Sequence, residues 1–84
     1  MYIISLSRSS KKFMQSISGK DYKLVSLALA SLESDPYQSG CTKLKGIENT
    51  FRIRAGNYRI LYQVYDKVLT VEVVDIGNRK DIYE

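Results

Sequence analysis

The stretch Thr50-Phe51-Arg52-Ile53-Arg54-Ala55-Gly56-Asn57-Tyr58-Arg59-Ile60-Leu61-Tyr62 decides the fold. It reads as two short strands joined by Gly56-Asn57, because a glycine-initiated two-residue loop matches the twist of a hairpin. That loop pairs Ala55 with Tyr58, Arg54 with Arg59, Ile53 with Ile60, Arg52 with Leu61 and Phe51 with Tyr62. One face then carries Phe51, Ile53, Ala55, Tyr58, Ile60 and Tyr62, apolar apart from the phenol hydroxyls. The other carries Arg52, Arg54 and Arg59. Like charges directly opposite one another cost stability. Arginines gathered on one face therefore point to an anion that the chain does not itself supply.

Working outward, Asp66-Lys67 turns the chain into residues 68–76, a third consecutive strand. A two-residue or a four-residue turn pairs Val64 with Leu69, Tyr62 with Val71 and Ile60 with Val73. Leu69, Val71 and Val73 then join the apolar face, while Thr70, Glu72 and Val74 lie beside Gln63, Leu61 and Arg59. Glu72 becomes an available partner for Arg59. Gly77 can end this strand, and Arg79 and Tyr83 follow just beyond it, close to Arg54 and Arg59.

Toward the N-terminus, residues 2–7 read as a strand. Residues 9–17 form a short helix with Phe13, Met14 and Ile17 on one stripe, broken by Ser18-Gly19. Residues 21–33 are the clearest helix, with Leu24, Ala28 and Leu32 four apart and Val25 and Leu29 alongside. Asp21 near its start suits the helix dipole. Pro36 disfavours helical geometry at Asp35, so the helix ends there or earlier. Residues 34–41 are a loop, and Lys43-Leu44-Lys45-Gly46 leads back into the hairpin. The expected fold is α+β: strand, helix, helix, then three consecutive antiparallel strands, with two helices packed on one face of a small sheet. The arginine face is left exposed.

The 84 residues make one small domain, 1–84, with no room for a second core. Thirteen Lys and Arg against nine Asp and Glu give a net charge of +4, which favours anionic partners. Between Lys43 and Arg59 the only acid is Glu48. Cys41 is the single cysteine, so no internal disulfide forms and a reducing cytoplasm fits best. The absence of histidine excludes His-based catalysis, and neither a metal site nor a cofactor is expected. Residues 1–7 lack the basic start and the apolar length of a signal peptide, and no stretch reaches transmembrane length. No membrane partner is expected.

Arg52, Arg54, Arg59 and Arg79, with Lys43 and Lys45 nearby, can grip phosphate through forked, charge-assisted hydrogen bonds. Tyr83 adds an aromatic ring, and basic groups with an aromatic on a sheet suit single-stranded RNA. RNA can be cut by its own 2′-hydroxyl. The protein then supplies in-line positioning, stabilisation of the pentavalent phosphate and proton transfers. Arginine serves the first two roles but is a poor base, so Tyr83 or a lysine of lowered pKa is the candidate for the third.

Leu44-Lys45-Gly46, the hairpin from Phe51 to Val64 and the closing Ile76-Gly77-Asn78-Arg79-Lys80-Asp81-Ile82-Tyr83 resemble the RelE/ParE toxin superfamily. The specific signal is Gly-x-Tyr-Arg-hydrophobic-hydrophobic-Tyr followed by Gly-x-Arg and a near-terminal Tyr. It covers the last half of the chain. The resemblance implies a toxin of a type II toxin–antitoxin system, with a cognate antitoxin, the ribosome and mRNA as partners. In the RelE branch such a toxin cleaves mRNA in the ribosomal A site. On this resemblance Arg52 and Arg54 take the places of two basic residues that are lysines in the best-known members. Arg59 matches a phosphate-contacting arginine, Arg79 a C-terminal arginine and Tyr83 a near-terminal tyrosine that stacks on or orients substrate. Lys43, Lys45 and Lys80 would contact RNA. Asn78 stands where many relatives have histidine. The ParE branch implies an alternative, a non-enzymatic inhibitor of DNA gyrase. A third is an RNA- or ribosome-binding member with weak chemistry.

Overall fold

Alternation on the central hairpin builds the sheet, and the serines and leucines before it build the helices that cover one face. A computed structural model describes residues 1–78. The order is β1 (Ile3–Leu6), α1 (Arg8–Ser16), α2 (Gly19–Ser34), β2 (Thr42–Lys43), β3 (Thr50–Ala55), β4 (Tyr58–Tyr65) and β5 (Thr70–Asn78). Strands lie in the order β1-β5-β4-β3-β2. Strand β1 runs parallel to β5, and the other neighbours are antiparallel. A parallel neighbour demands a long crossover, and α1 and α2 lie within it.

Ser7 caps α1: its side chain accepts from the Ser10 N–H at 3.1 Å, satisfying one of the orphan donors of the first turn. Ser10 and Met14 face inward, with Phe13 and Ile17 partly buried beside them. Helix α2 ends at Ser34, as Pro36 requires, and the Asp35 N–H closes onto Ser31 O at 3.2 Å. Its buried stripe is Val25, Leu29 and Leu32, spaced i, i+4 and i+7. Leu24 stays 41% exposed, although the sequence aligned it with Leu32. It lies over the hairpin loop, where a Cβ on Gly56 would meet Leu24 Cδ2 at 2.5 Å. Gly56 has φ +64°, so the loop needs glycine for its backbone, while Leu24, half open to solvent, can swing aside for a side chain there.

The core unites these helices with Ile53, Ala55, Ile60, Tyr62, Val64, Val71, Val73 and Ile76 from the sheet. Tyr62 is fully buried, and its hydroxyl donates to Pro36 O at 2.7 Å. Partners of this kind are needed by a polar group taken out of water.

The β3–β4 register is the one read from Gly56-Asn57, from Ala55↔Tyr58 to Phe51↔Tyr62. The β4–β5 register differs. Val64 pairs with Val71 and Tyr62 with Val73, two residues along from expectation. The loop is longer than the reading allowed: a 3₁₀ turn over Asp66–Val68 is followed by Leu69 in the left-handed region, φ 46° and ψ 50°. Leu69 is consequently 49% exposed rather than in the core. Between Leu61 and Tyr62 the ladder is interrupted: Leu61 pairs with Asp75, so Val74 is the extra residue of a β-bulge. Serines serve the disrupted backbone. Val74 O accepts from Ser7 Oγ at 2.9 Å, and Val73 O from the Ser7 N–H at 2.9 Å and Ser10 Oγ at 3.1 Å.

Candidate functional site

Strand alternation puts Arg52 and Arg54 of β3 on the face away from the helices, and pairing puts Arg59 of β4 opposite Arg54. The three are not equally open. Arg54 is exposed and Arg52 half-buried, but Arg59 is only 3% exposed. The expectation of a uniformly exposed arginine face is corrected here. Strand β4 is central, with β3 on one side and β5 on the other, so its side chains are walled in. A buried guanidinium requires surrounding partners to remain charged, and Arg59 is not free.

Glu72, expected beside Arg59, lies opposite Gln63, whereas Arg59 lies opposite Gly77. Four residues of β4 separate those two pairings, roughly 13 Å. The bulge brings another acid instead. Asp75 pairs with Leu61 on the arginine face and is the diagonal neighbour of Arg59. Sequence reasoning missed Asp75 as a member of this face. The signal was present: unbroken alternation from Val71 and Val73 would bury Asp75 and expose Ile76, a conflict that one extra residue removes. Ile76 is indeed core, at 4% exposure, and pairs with Ile60.

One lysine of the pair expected near the arginines lies on the other face. Lys43 pairs with Phe51 and so shares the helix-side face, while Thr42 pairs with Arg52 and shares the arginine face. Lys43 and Lys45 are both exposed, Lys45 in the turn before β3. Strand β5 ends at Asn78 opposite Tyr58, next to the Arg59↔Gly77 pair. Arg79, Lys80 and Tyr83 lie outside the described residues.

The phenols nearest the core are unsuited to proton transfer. Burial raises the Tyr62 pKa, and the Tyr58 hydroxyl donates to Asp21 Oδ2 at 3.0 Å, which raises its pKa as well. Among the described residues no helix is long and apolar enough to cross a membrane.

Five strands with helices on one face and arginines on the other define a small α+β domain with a basic sheet face. Residues 6–83 match the family model described as the ParE toxin of the type II toxin–antitoxin system parDE, and the chain belongs to that RelE/ParE family of toxins. Toxin RelG of Mycobacterium tuberculosis is 33% identical over 60 residues, covering 71% of this chain and 69% of that protein. The isolated Escherichia coli RelE toxin superposes with a TM-score of 0.81 at 21% identity, over 93% of this chain and 84% of that one. The archaeal RelE–RelB complex from Pyrococcus horikoshii contains a chain that superposes with a TM-score of 0.80 at 24% identity, over 95% of this chain and 97% of that one.

Proposed function

We propose that this toxin is a ribosome-dependent mRNA endonuclease, held inactive in the cytoplasm by a cognate antitoxin. The observation that carries the reading is the co-facial set Arg52, Arg54 and Arg59, with the end of β5 delivered beside it by the Arg59↔Gly77 and Tyr58↔Asn78 pairs. Solved relatives in complex with antitoxins support the partner.

In this reading the 2′-hydroxyl of one nucleotide gives up its proton to a general base and its oxygen attacks the adjacent phosphorus. The bond to the 5′-oxygen breaks and that oxygen takes up a proton, so that one proton is lost and one gained. The products are a 2′,3′-cyclic phosphate and a 5′-hydroxyl. Arg52 and Arg54 hold the RNA backbone. Arg79 stabilises the charge on the pentavalent phosphate, with Arg59 adding its positive charge from its buried place in the sheet, and Tyr83 stacks on or orients a base. Nothing in the step calls for a nucleophile from the protein.

Cleavage of message in a translation extract, mapped by primer extension and end chemistry, tests this. Codon-positioned cuts with 2′,3′-cyclic phosphate ends are expected. Arg79→Ala and Arg59→Ala should each slow cutting on the order of 10²-fold or more. Arg59→Ala needs a parallel unfolding measurement, because its side chain is buried. Intact message and undiminished translation would sink the proposal. The ParE description of the family model favours a second reading, inhibition of DNA gyrase without RNA chemistry. Loss of supercoiling activity with no RNA cut would establish that alternative.

A further inference from the structure

Beside the arginine face lies a cleft to which no role has been given. Strand β2 pairs with β3 only at Thr42↔Arg52 and Lys43↔Phe51. Past Arg52, the outer edge of β3 has no strand partner among the described residues. The segment Gln38-Ser39-Gly40 passes along that edge and, with Thr42, Arg52 and Arg54, encloses an open cleft of about 450 Å³. That volume is in the range of small-ligand sites and accommodates a single nucleotide.

Its walls are preorganised. The Cys41 N–H donates to Gln38 O at 3.1 Å, closing a four-residue turn with Ser39 and Gly40 at its centre. Gly40 has φ +96°, the positive value that the third position of a type II turn needs. Gln38 is tied down at its amide nitrogen, which donates to Ser31 Oγ at 3.1 Å and Asp35 O at 3.0 Å. An anchored amide holds its acceptor oxygen in a fixed direction, so little ordering cost remains on binding.

The chemistry is of two kinds set side by side. Two guanidinium groups suit a phosphate, while an amide and the hydroxyls of Ser39 and Thr42 suit the donor and acceptor edge of a planar base. An acidic peptide supplies carboxylates for the first group, but it offers no planar base edge to the second, only its separate backbone groups. A splayed RNA nucleotide uses both.

We propose that this cleft binds the nucleotide flanking the scissile phosphate, with Arg52 and Arg54 on its phosphate and Gln38, Ser39 and Thr42 reading its base. The proposal rests on the RNA-cleavage reading and adds a base-selecting subsite to it. The test is a ¹⁵N NMR titration of the whole chain with AMP, GMP, CMP, UMP, inorganic phosphate and hexaglutamate. It is run beside mapping of cut positions for wild type, Gln38→Leu and Thr42→Val. At least one nucleotide should shift the Ser39, Gly40 and Thr42 amides at much lower concentration than phosphate does. Gln38→Leu should alter the base preference at one codon position by on the order of 10-fold, and the same spectra report whether the variant is folded. Phosphate acting as strongly as every nucleotide would reduce the cleft to an anion contact and overturn the proposal. Hexaglutamate acting more strongly than any nucleotide would overturn it in favour of an acidic protein segment. Cutting by wild type with a cleft silent to nucleotides removes the subsite alone. Nucleotide binding without any cutting upholds the cleft and removes the cleavage reading.

Discussion

Asp66 shows how much one exposed carboxylate can organise. It accepts hydrogen bonds from the hydroxyls of Tyr2 at 2.7 Å and Tyr37 at 2.8 Å, joining the N-terminal segment and the loop after α2 to the β4–β5 turn. Those donors, Tyr2 foremost, hold its pKa below the ordinary 3.8. Desolvation and the bond to Asp66 push the Tyr37 pKa from 10.0 up to about 12. A carboxylate with a depressed folded-state pKa contributes its stability above its unfolded value and loses it as pH falls through the lower one. A phenol with a raised pKa contributes below its unfolded value and loses it as pH climbs through the raised one. Wild-type stability should therefore fall off below pH 3.8 and between pH 10.0 and about 12. Asp66→Asn should lower the urea midpoint near neutrality and flatten both limbs. Parallel pH curves for the two proteins would show that the clamp contributes nothing. A buried hydroxyl makes a sharper case. Removing the Tyr62 hydroxyl as Tyr62→Phe strands the Pro36 carbonyl without its 2.7 Å donor. The expected loss is about 1–3 kcal/mol, read as a fall in thermal midpoint.

At the level of elements, the bulge in β5 separates what alternation can and cannot reveal. The β3–β4 hairpin was legible because Gly56-Asn57 fixes the loop and every residue from Phe51 to Tyr62 then falls on a consistent face. The β4–β5 pairing was not, because Asp66-Lys67 carries no comparable turn chemistry and Leu69 takes a left-handed conformation that its type gives no reason to expect. Thr42-Lys43 is too short to show a period, so β2 and its alignment of Thr42 with Arg52 were invisible too. The bulge itself has a testable logic. Deleting Val74 leaves Val73, Asp75 and Ile76 alternating regularly against Tyr62, Leu61 and Ile60, so every existing pair is preserved. What disappears is the extra twist and the carbonyl that takes Ser7 and Ser9. The deletion variant should remain folded by circular dichroism with a loss of about 1–2 kcal/mol, the value of one or two neutral hydrogen bonds. Failure to fold would show that the local bend, and not merely the pairing, is required for β1 and α1 to dock.

Across the whole molecule the arginines of the hairpin gather toward one end of the sheet. Arg54 and Arg59 lie by the Gly56-Asn57 loop, whereas Asp66 is at the far end of β4, roughly 24 Å away along eight residues of strand. Asp35 belongs to that acidic end, where it caps the Tyr37 N–H at 3.0 Å. The candidate site was legible in the sequence as far as charge and alternation carry it, which gave Arg52, Arg54 and Arg59 together. Burial of Arg59 depends on long-range pairing that no local pattern encodes, whereas the arrival of Asp75 was signalled only by the break in alternation at Asp75-Ile76. The polarity has a measurable consequence if the arginine end is where RNA lies. Each phosphate contact on a single strand releases counterions and contributes about 0.7 to the slope of log affinity against log salt. Replacing both Arg52 and Arg54 with glutamine should therefore weaken binding to a short single-stranded RNA and reduce that slope by about 1.4, measured by anisotropy between ~50 and ~200 mM salt. Lys67, in the turn beside Asp66, lies at the opposite end, so Lys67→Gln should leave the slope unchanged. An equal reduction in both variants would mean that RNA is attracted by net charge alone, and an unchanged slope in the arginine variant would place the RNA on another surface.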